Sequence, residues 1–150
     1  MNELSKYRSE VIERSINIES IINAIISQHY FKHVIYNFLI EVLYDEYFTF
    51  ALKRRILEKI LRSINHYDNK MIQDLNRINT IRNYFAHCNQ EIYLINSTES
   101  IVPDPRKPDQ PINFKSLYEE FKPTAGNIEK WLIDEYKFMG GIITPTKNGL

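Results

Sequence analysis

The chain has 150 residues, 43% hydrophobic and 25% charged, which is the composition of a single globular domain with enough length for a real core. Lys plus Arg and Asp plus Glu both number 19, so the formal net charge is zero; that argues against a protein that coats nucleic acid by bulk charge and leaves room only for a local basic site. One cysteine, Cys88, excludes an internal disulfide and any zinc site that needs two or four thiolates, and fits a reducing, cytoplasmic setting.

The first residues, MNELSKYRSEV, lack the basic-then-apolar order of a signal peptide. The most apolar run, VIYNFLIEVLY at 34–44, is too short to span a bilayer and is interrupted by Asn37 and Glu41. A soluble protein without a membrane partner is the expectation. The four glycines form neither GxGxxG nor GxxxxGK[ST], which argues against a phosphate-loop nucleotide enzyme.

Residues 3–29 place Leu4, Tyr7, Val11, Ile18, Ile22 and Ile25 at three- and four-residue steps, the period of a helix. Isoleucine is a modest helix former, so packing must hold this element. Residues 32–46 read as a second helix, apolar on most sides apart from the strip Asn37, Glu41 and Asp45, and a helix that apolar is expected to be central in the core. A third helix covers 49–64. Leu52, Ile56, Ile60 and Ile64 are its expected core stripe, and Arg55, Lys59 and Arg62 form a basic stripe, read first as a solvated face and second as a surface for phosphates.

NHYDNK at 65–70 is a loop. Residues 70–87 form the fourth helix, with Met71, Leu75, Ile78, Ile81 and Phe85 facing inward. EIYLINSTESIV at 91–102 suggests a short hairpin. PDPRKPDQP, 103–111, holds four prolines and reads as an extended surface loop that can be neither helix nor central strand. A fifth helical region opens at Asn113 as N-cap, with Ile112 and Leu117 placed for a hydrophobic staple. Phe114, Leu117, Phe121, Ile128, Trp131, Leu132 and Phe138 carry its stripe. Pro123 must kink one helix or separate two, and Gly140-Gly141 end it, leaving a loose tail over about 140–150. The fold class is therefore all-α, an antiparallel bundle of four or five helices over 1–150, with a Pro-rich loop and a short hairpin.

The fourth helix ends in RNYFAH, Arg82 to His87. Asn83 and His87 are four apart and share a face, and the long side chain of Arg82, one step around, can bend toward them. Histidine exchanges a proton near neutral pH, arginine offers a charged planar fork matched to phosphate, and asparagine can orient either. Without metal ligands nearby, this set suits cleavage of RNA through its own 2′-hydroxyl, because the substrate brings the nucleophile and the protein supplies a proton handler and a cation. The plain alternatives are a histidine favoured by the helix dipole and an arginine in a surface ion pair. Tyr84 could stack on a base, and Arg55, Lys59 and Arg62, with Arg106-Lys107 on the proline loop, are candidate phosphate contacts. His29, His33 and His66 could be read as metal ligands, but no carboxylate is placed to complete a set. Cys88 points about 100 degrees away from His87 on a helix and makes an improbable thiol partner for it.

IRNYFAH resembles the Arg-x4-His signature of the HEPN family, with asparagine directly after the arginine as in many members. HEPN domains are compact all-α bundles with the signature on a late helix, and the helical pattern over 3–139 is similar. The resemblance implies that Arg82 and His87 are a ribonuclease pair with Asn83 beside them. It further implies a metal-independent, cofactor-free reaction leaving a 2′,3′-cyclic phosphate, and a homodimer that joins two motifs across a two-fold axis. It also implies a bacterial toxin or antiphage role with RNA as substrate, often with a nucleotidyltransferase-type antitoxin protein as partner. The competing reading is a non-catalytic dimerisation or partner-binding module, as in mannitol-repressor-like proteins, which the helix pattern also resembles. A DNA-binding regulator would need a basic recognition helix, for which 53–62 is the lone candidate.

Overall fold

The computed structural model describes residues 3–87, 101–104 and 107–143, with side chains over 3–87 and 112–143. The protein is mostly helical: α1 Glu3–Phe31, α2 Tyr36–Phe38 continuing as a π-helical turn Leu39–Leu43, α3 Phe50–Ser63, α4 Asn69–Ala86 and α5 Phe114–Phe138. Two strands, β1 Ile101–Asp104 and β2 Lys107–Asn113, pair antiparallel. No helix among the described residues is long and apolar enough to cross a membrane.

The residues gather in two compact units, each drawn from separate stretches of chain. The first takes Met1–Ile16 and Gln73–Asn127. Its core is Val11 from α1, Leu75, Ile78, Ile81 and Phe85 from α4, and Phe114, Phe121 and Ala125 from α5. Tyr7 and Tyr118 stack with ring centroids 4.1 Å apart, and their hydroxyls donate to Glu3 and Glu10. Those hydrogen bonds to carboxylates push both phenols up to about 12.

The second unit takes Asn17–Ile72 and Ile128–Leu150. Its core is Ile18, Ile22, Ile25 and Ile26 from α1, Leu43, then Leu57, Ile60 and Leu61 from α3, Ile72, and Ile128 and Leu132 from α5. The α1 and α4 stripes follow the sequence period closely; in α4, Ile72 is buried where Met71, half-buried, was the expected first contact.

The segment 32–46 departs from expectation. It is not one central helix: helix runs only from Tyr36 to Leu43, and within it Leu43 alone is buried. The cause lies at its start. Lys32 takes a left-handed φ of 62° and ends α1, while the Ser27 hydroxyl donates to the His33 carbonyl and accepts from the Ile35 N–H, holding the link non-helical. At its far end Asp45 accepts from the Tyr47 N–H in an Asx turn and stops the helix.

The α3 stripe is also shifted. Thr49 caps the helix, its hydroxyl accepting from the Leu52 N–H at 3.3 Å. Lys53, Leu57, Ile60 and Leu61 are buried, Leu52 is exposed, and Ile56 and Ile64 are half-buried. A charged residue occupies the core face because Glu19 of α1 neutralises it. Asn65, with φ 59°, closes α3, and the His66 N–H reaches back to the Leu61 carbonyl at 2.8 Å.

The described part of the proline segment is strand, not loop. Pro103, Pro108 and Pro111 lie in a hairpin whose register shifts between Val102 and Asp104, around Pro103. A two-stranded sheet has only edges, and an edge strand tolerates a residue without an N–H. The hairpin expected over 91–102 lies, but for its last two residues, outside the described chain. Pro123 sits inside a single continuous α5, so the alternative of two helices is discarded. Asn113 caps α5, accepting from the Ser116 N–H at 3.0 Å. At the other end the Gly140 N–H donates to Lys137 and the Gly141 N–H to Tyr136, both at 2.9 Å, with Gly140 at φ 89°. This is a Schellman closure that glycine favours.

Candidate functional site

The geometry of the RNYFAH end follows from what anchors α4. Asp68 accepts from the Met71 N–H at 3.1 Å and fixes where the helix begins. Leu75, Ile78, Ile81 and Phe85 then commit one face to the core of the first unit, with Phe85 edge-on to Phe114 at 4.9 Å. That phase leaves Arg82, Asn83 and Tyr84 half-buried on the border of the core face, and His87 exposed just past the last turn.

Arg82 Nη1 donates to Asn83 Oδ1 at 3.3 Å. Among the described residues no carboxylate pairs with Arg82, and the hydrogen bond to Asn83 takes one of its guanidinium N–H groups. The His87 backbone N–H donates to the Asn83 carbonyl at 3.1 Å and completes the helix. Arg82, Asn83 and His87 thus occupy one short helix end, with an arginine fork held by an amide and an imidazole open to solvent. Such a set can receive a phosphate and exchange a proton.

Two residues that local spacing did not single out, one on α4 and one on α5, form an ion pair. Arg77 holds Glu120 of α5 by two hydrogen bonds, Nε to Oε1 at 2.6 Å and Nη2 to Oε2 at 2.9 Å. Hydrogen bonding from Arg77 pulls the Glu120 carboxyl below its ordinary range, and the carboxylate raises the guanidinium in turn. Arg77 therefore reads as structural. Its partner lies 43 positions away and no local spacing could have revealed it.

The remaining candidates fall in the second unit. Arg55, Lys59 and Arg62 are all exposed on α3, and the Arg62 guanidinium lies 3.6 Å from the centre of the Tyr67 ring. His66 Nδ1 is 2.7 Å from Glu135 Oε2, and its ring packs on Phe138 at 4.1 Å. His29 sits edge-on to Tyr30. Cys88 and Arg106 lie outside the described residues.

No protein-family model, no curated protein and no solved structure matches this chain.

Proposed function

We propose that this chain is a metal-independent endoribonuclease of HEPN type. The reading rests on the motif and on one observation: Arg82 bonds Asn83 at 3.3 Å, free of a carboxylate partner among the described residues, on the same helix end as the exposed His87. An arginine neutralised by a carboxylate would have little left to offer a phosphate; among the described residues this one meets none.

On this reading the helices close as the antiparallel bundle of that family. The 2′-oxygen of the substrate attacks the adjacent phosphorus, the P–O5′ bond breaks, and a 2′,3′-cyclic phosphate and a 5′-hydroxyl remain. His87 takes the 2′-hydroxyl proton or returns one to the leaving oxygen. Arg82 stabilises the charge on the phosphorane, and Asn83 orients Arg82. One helix end supplies half of this machinery, and a two-fold dimer supplies the rest. A bacterial toxin or antiphage role in the cytoplasm, with an antitoxin partner of nucleotidyltransferase type, belongs to the same proposal.

The test is incubation of the purified protein with end-labelled single-stranded RNA in EDTA, beside His87→Ala. Cleavage by the wild type alone, leaving a cyclic phosphate, supports the reading. An active His87→Ala variant removes His87 from the mechanism. No cleavage of varied RNAs transfers the chain to the non-catalytic, partner-binding reading.

A further inference from the structure

Residues 34–52 hold three carboxylates, Glu41, Asp45 and Glu46, and no lysine, arginine or histidine. All three are exposed, and among the described residues none of them forms an ion pair. Tyr36, Tyr44 and Tyr47 stand among them, 73, 54 and 83% exposed. The other tyrosines show what such a ring face takes in this chain. The Arg62 guanidinium lies 3.6 Å from the centre of Tyr67, and Lys122 lies 5.5 Å from that of Tyr118. Buried Lys53, paired with Glu19, lies 5.9 Å from the Tyr44 ring. Tyr36 and Tyr47 have no cation over them among the described residues. The segment that carries them is fixed before any partner arrives. Phe31 meets Phe38 edge-on at 4.8 Å, and the Ser27 hydroxyl holds the link between α1 and α2. A surface ordered in advance loses little entropy on binding.

We propose that residues 36–47 dock an arginine-rich segment of a different protein, its guanidinium planes stacked on the tyrosines and their edges bonded to the carboxylates. Charge selects this occupant. Three carboxylates with no cation among them repel a nucleic acid backbone and an anionic membrane surface, and they complement a cationic segment. The rings select arginine within that class. A guanidinium can stack by its face and bond a carboxylate by its edge at once, which an ammonium cannot. Asp45 spends Oδ1 on the Tyr47 N–H and keeps Oδ2 for a donor. Size points the same way. Three tyrosines at these exposures offer on the order of 400 Å2, the scale of a functional surface patch and about half of what each side of a standard protein interface buries. That footprint suits a peptide segment rather than a folded domain. The same stretch of a second copy would bring carboxylate to carboxylate. The proposal stands apart from the ribonuclease reading, since Arg82 and His87 lie outside the stretch.

The test is fluorescence anisotropy of the full chain at physiological salt with labelled peptides of alternating arginine and serine, beside lysine and glutamate versions of the same peptide. The arginine peptide is expected to bind with a Kd on the order of 10 μM, the lysine version several-fold more weakly, and the glutamate version not at all. Tyr36→Ala with Tyr47→Ala should weaken the arginine peptide about tenfold without changing the far-ultraviolet circular dichroism. Glu41→Lys with Glu46→Lys, a pair that leaves the rings in place, should weaken it at least as much. An arginine peptide that does not bind overturns the proposal. So does binding that ignores the tyrosine substitutions, which would be diffuse charge attraction. Light scattering of the chain alone completes the test: self-association that the tyrosine substitutions abolish would give the surface to a second copy and also overturn it.

Discussion

Lys53 of α3 donates from Nζ to Glu19 Oε1 of α1 at 2.6 Å, with the lysine side chain 3% exposed and the glutamate 32%. The two are not equivalent. Removing Glu19 leaves an ammonium buried without its counter-charge, whereas removing Lys53 leaves a carboxylate that already touches water. Glu19→Ala is expected to cost about 3 kcal/mol of stability, and Lys53→Met, which keeps the apolar stem, less than about 1 kcal/mol. Urea unfolding of both variants checks this. Equal losses would refute the asymmetry.

One turn along α1 from Glu19 stands Asn23, 1% exposed, with neither amide atom hydrogen-bonded among the described residues. A buried amide without partners pays its desolvation and recovers nothing. Asn23→Leu, close in volume, is therefore expected to raise stability by about 1–2 kcal/mol. Thermal unfolding measures it. A fall in the midpoint would mean that the amide has a polar partner in solution.

The Arg77–Glu120 bridge sets a pH dependence with a definite sign. Arg77 lowers the folded-state pKa of Glu120, so the bridge stabilises fully above the unfolded carboxylate range. Its contribution fades as pH falls below about 4 and through the lowered folded value. Both side chains are more than 40% exposed, which limits the contribution to about 0.5 kcal/mol. Arg77→Gln should flatten the loss of stability in that acid window and leave the neutral-pH midpoint almost unchanged. Denaturation at a series of pH values from acid to neutral reads both. An unchanged acid slope would remove the bridge as the cause.

Apart from Phe138, expected on the α5 stripe and 64% exposed, periodicity placed the buried residues of α1, α4 and α5 well, because they recur mainly every three to four positions. It failed where a polar group decided the local geometry. Ser27 and the left-handed Lys32 shortened the second helix and turned its apolar residues outward, and hydropathy alone had sent them to the core. Lys53 entered the α3 core face because a glutamate 34 positions earlier receives it, a pairing that no local window contains. The prolines of 103–111 signalled a loop, yet a hairpin with two free edges accepts them. At the candidate site the residue types and the i, i+4 spacing were legible. The Arg82–Asn83 hydrogen bond and the exposure of His87 were not, since both depend on the phase at which α4 meets Phe114.

If Asn83 positions Arg82, its removal should act through the arginine. The Asn83 amide holds one nitrogen of the guanidinium at 3.3 Å. Without it the side chain regains its rotamers, and the cation meets the phosphorane less often in the required orientation. Asn83→Ala is expected to lower RNA cleavage about tenfold to a hundredfold, mainly in kcat. Arg82→Ala should remove about a thousandfold or more, as loss of a transition-state cation does. Arg82→Lys keeps the charge but not the fork, and should recover only part of that loss. The decisive comparison is the double variant. If Asn83 works through Arg82, adding Asn83→Ala to Arg82→Ala costs almost nothing more. Fully additive losses would show that Asn83 acts on the substrate by itself.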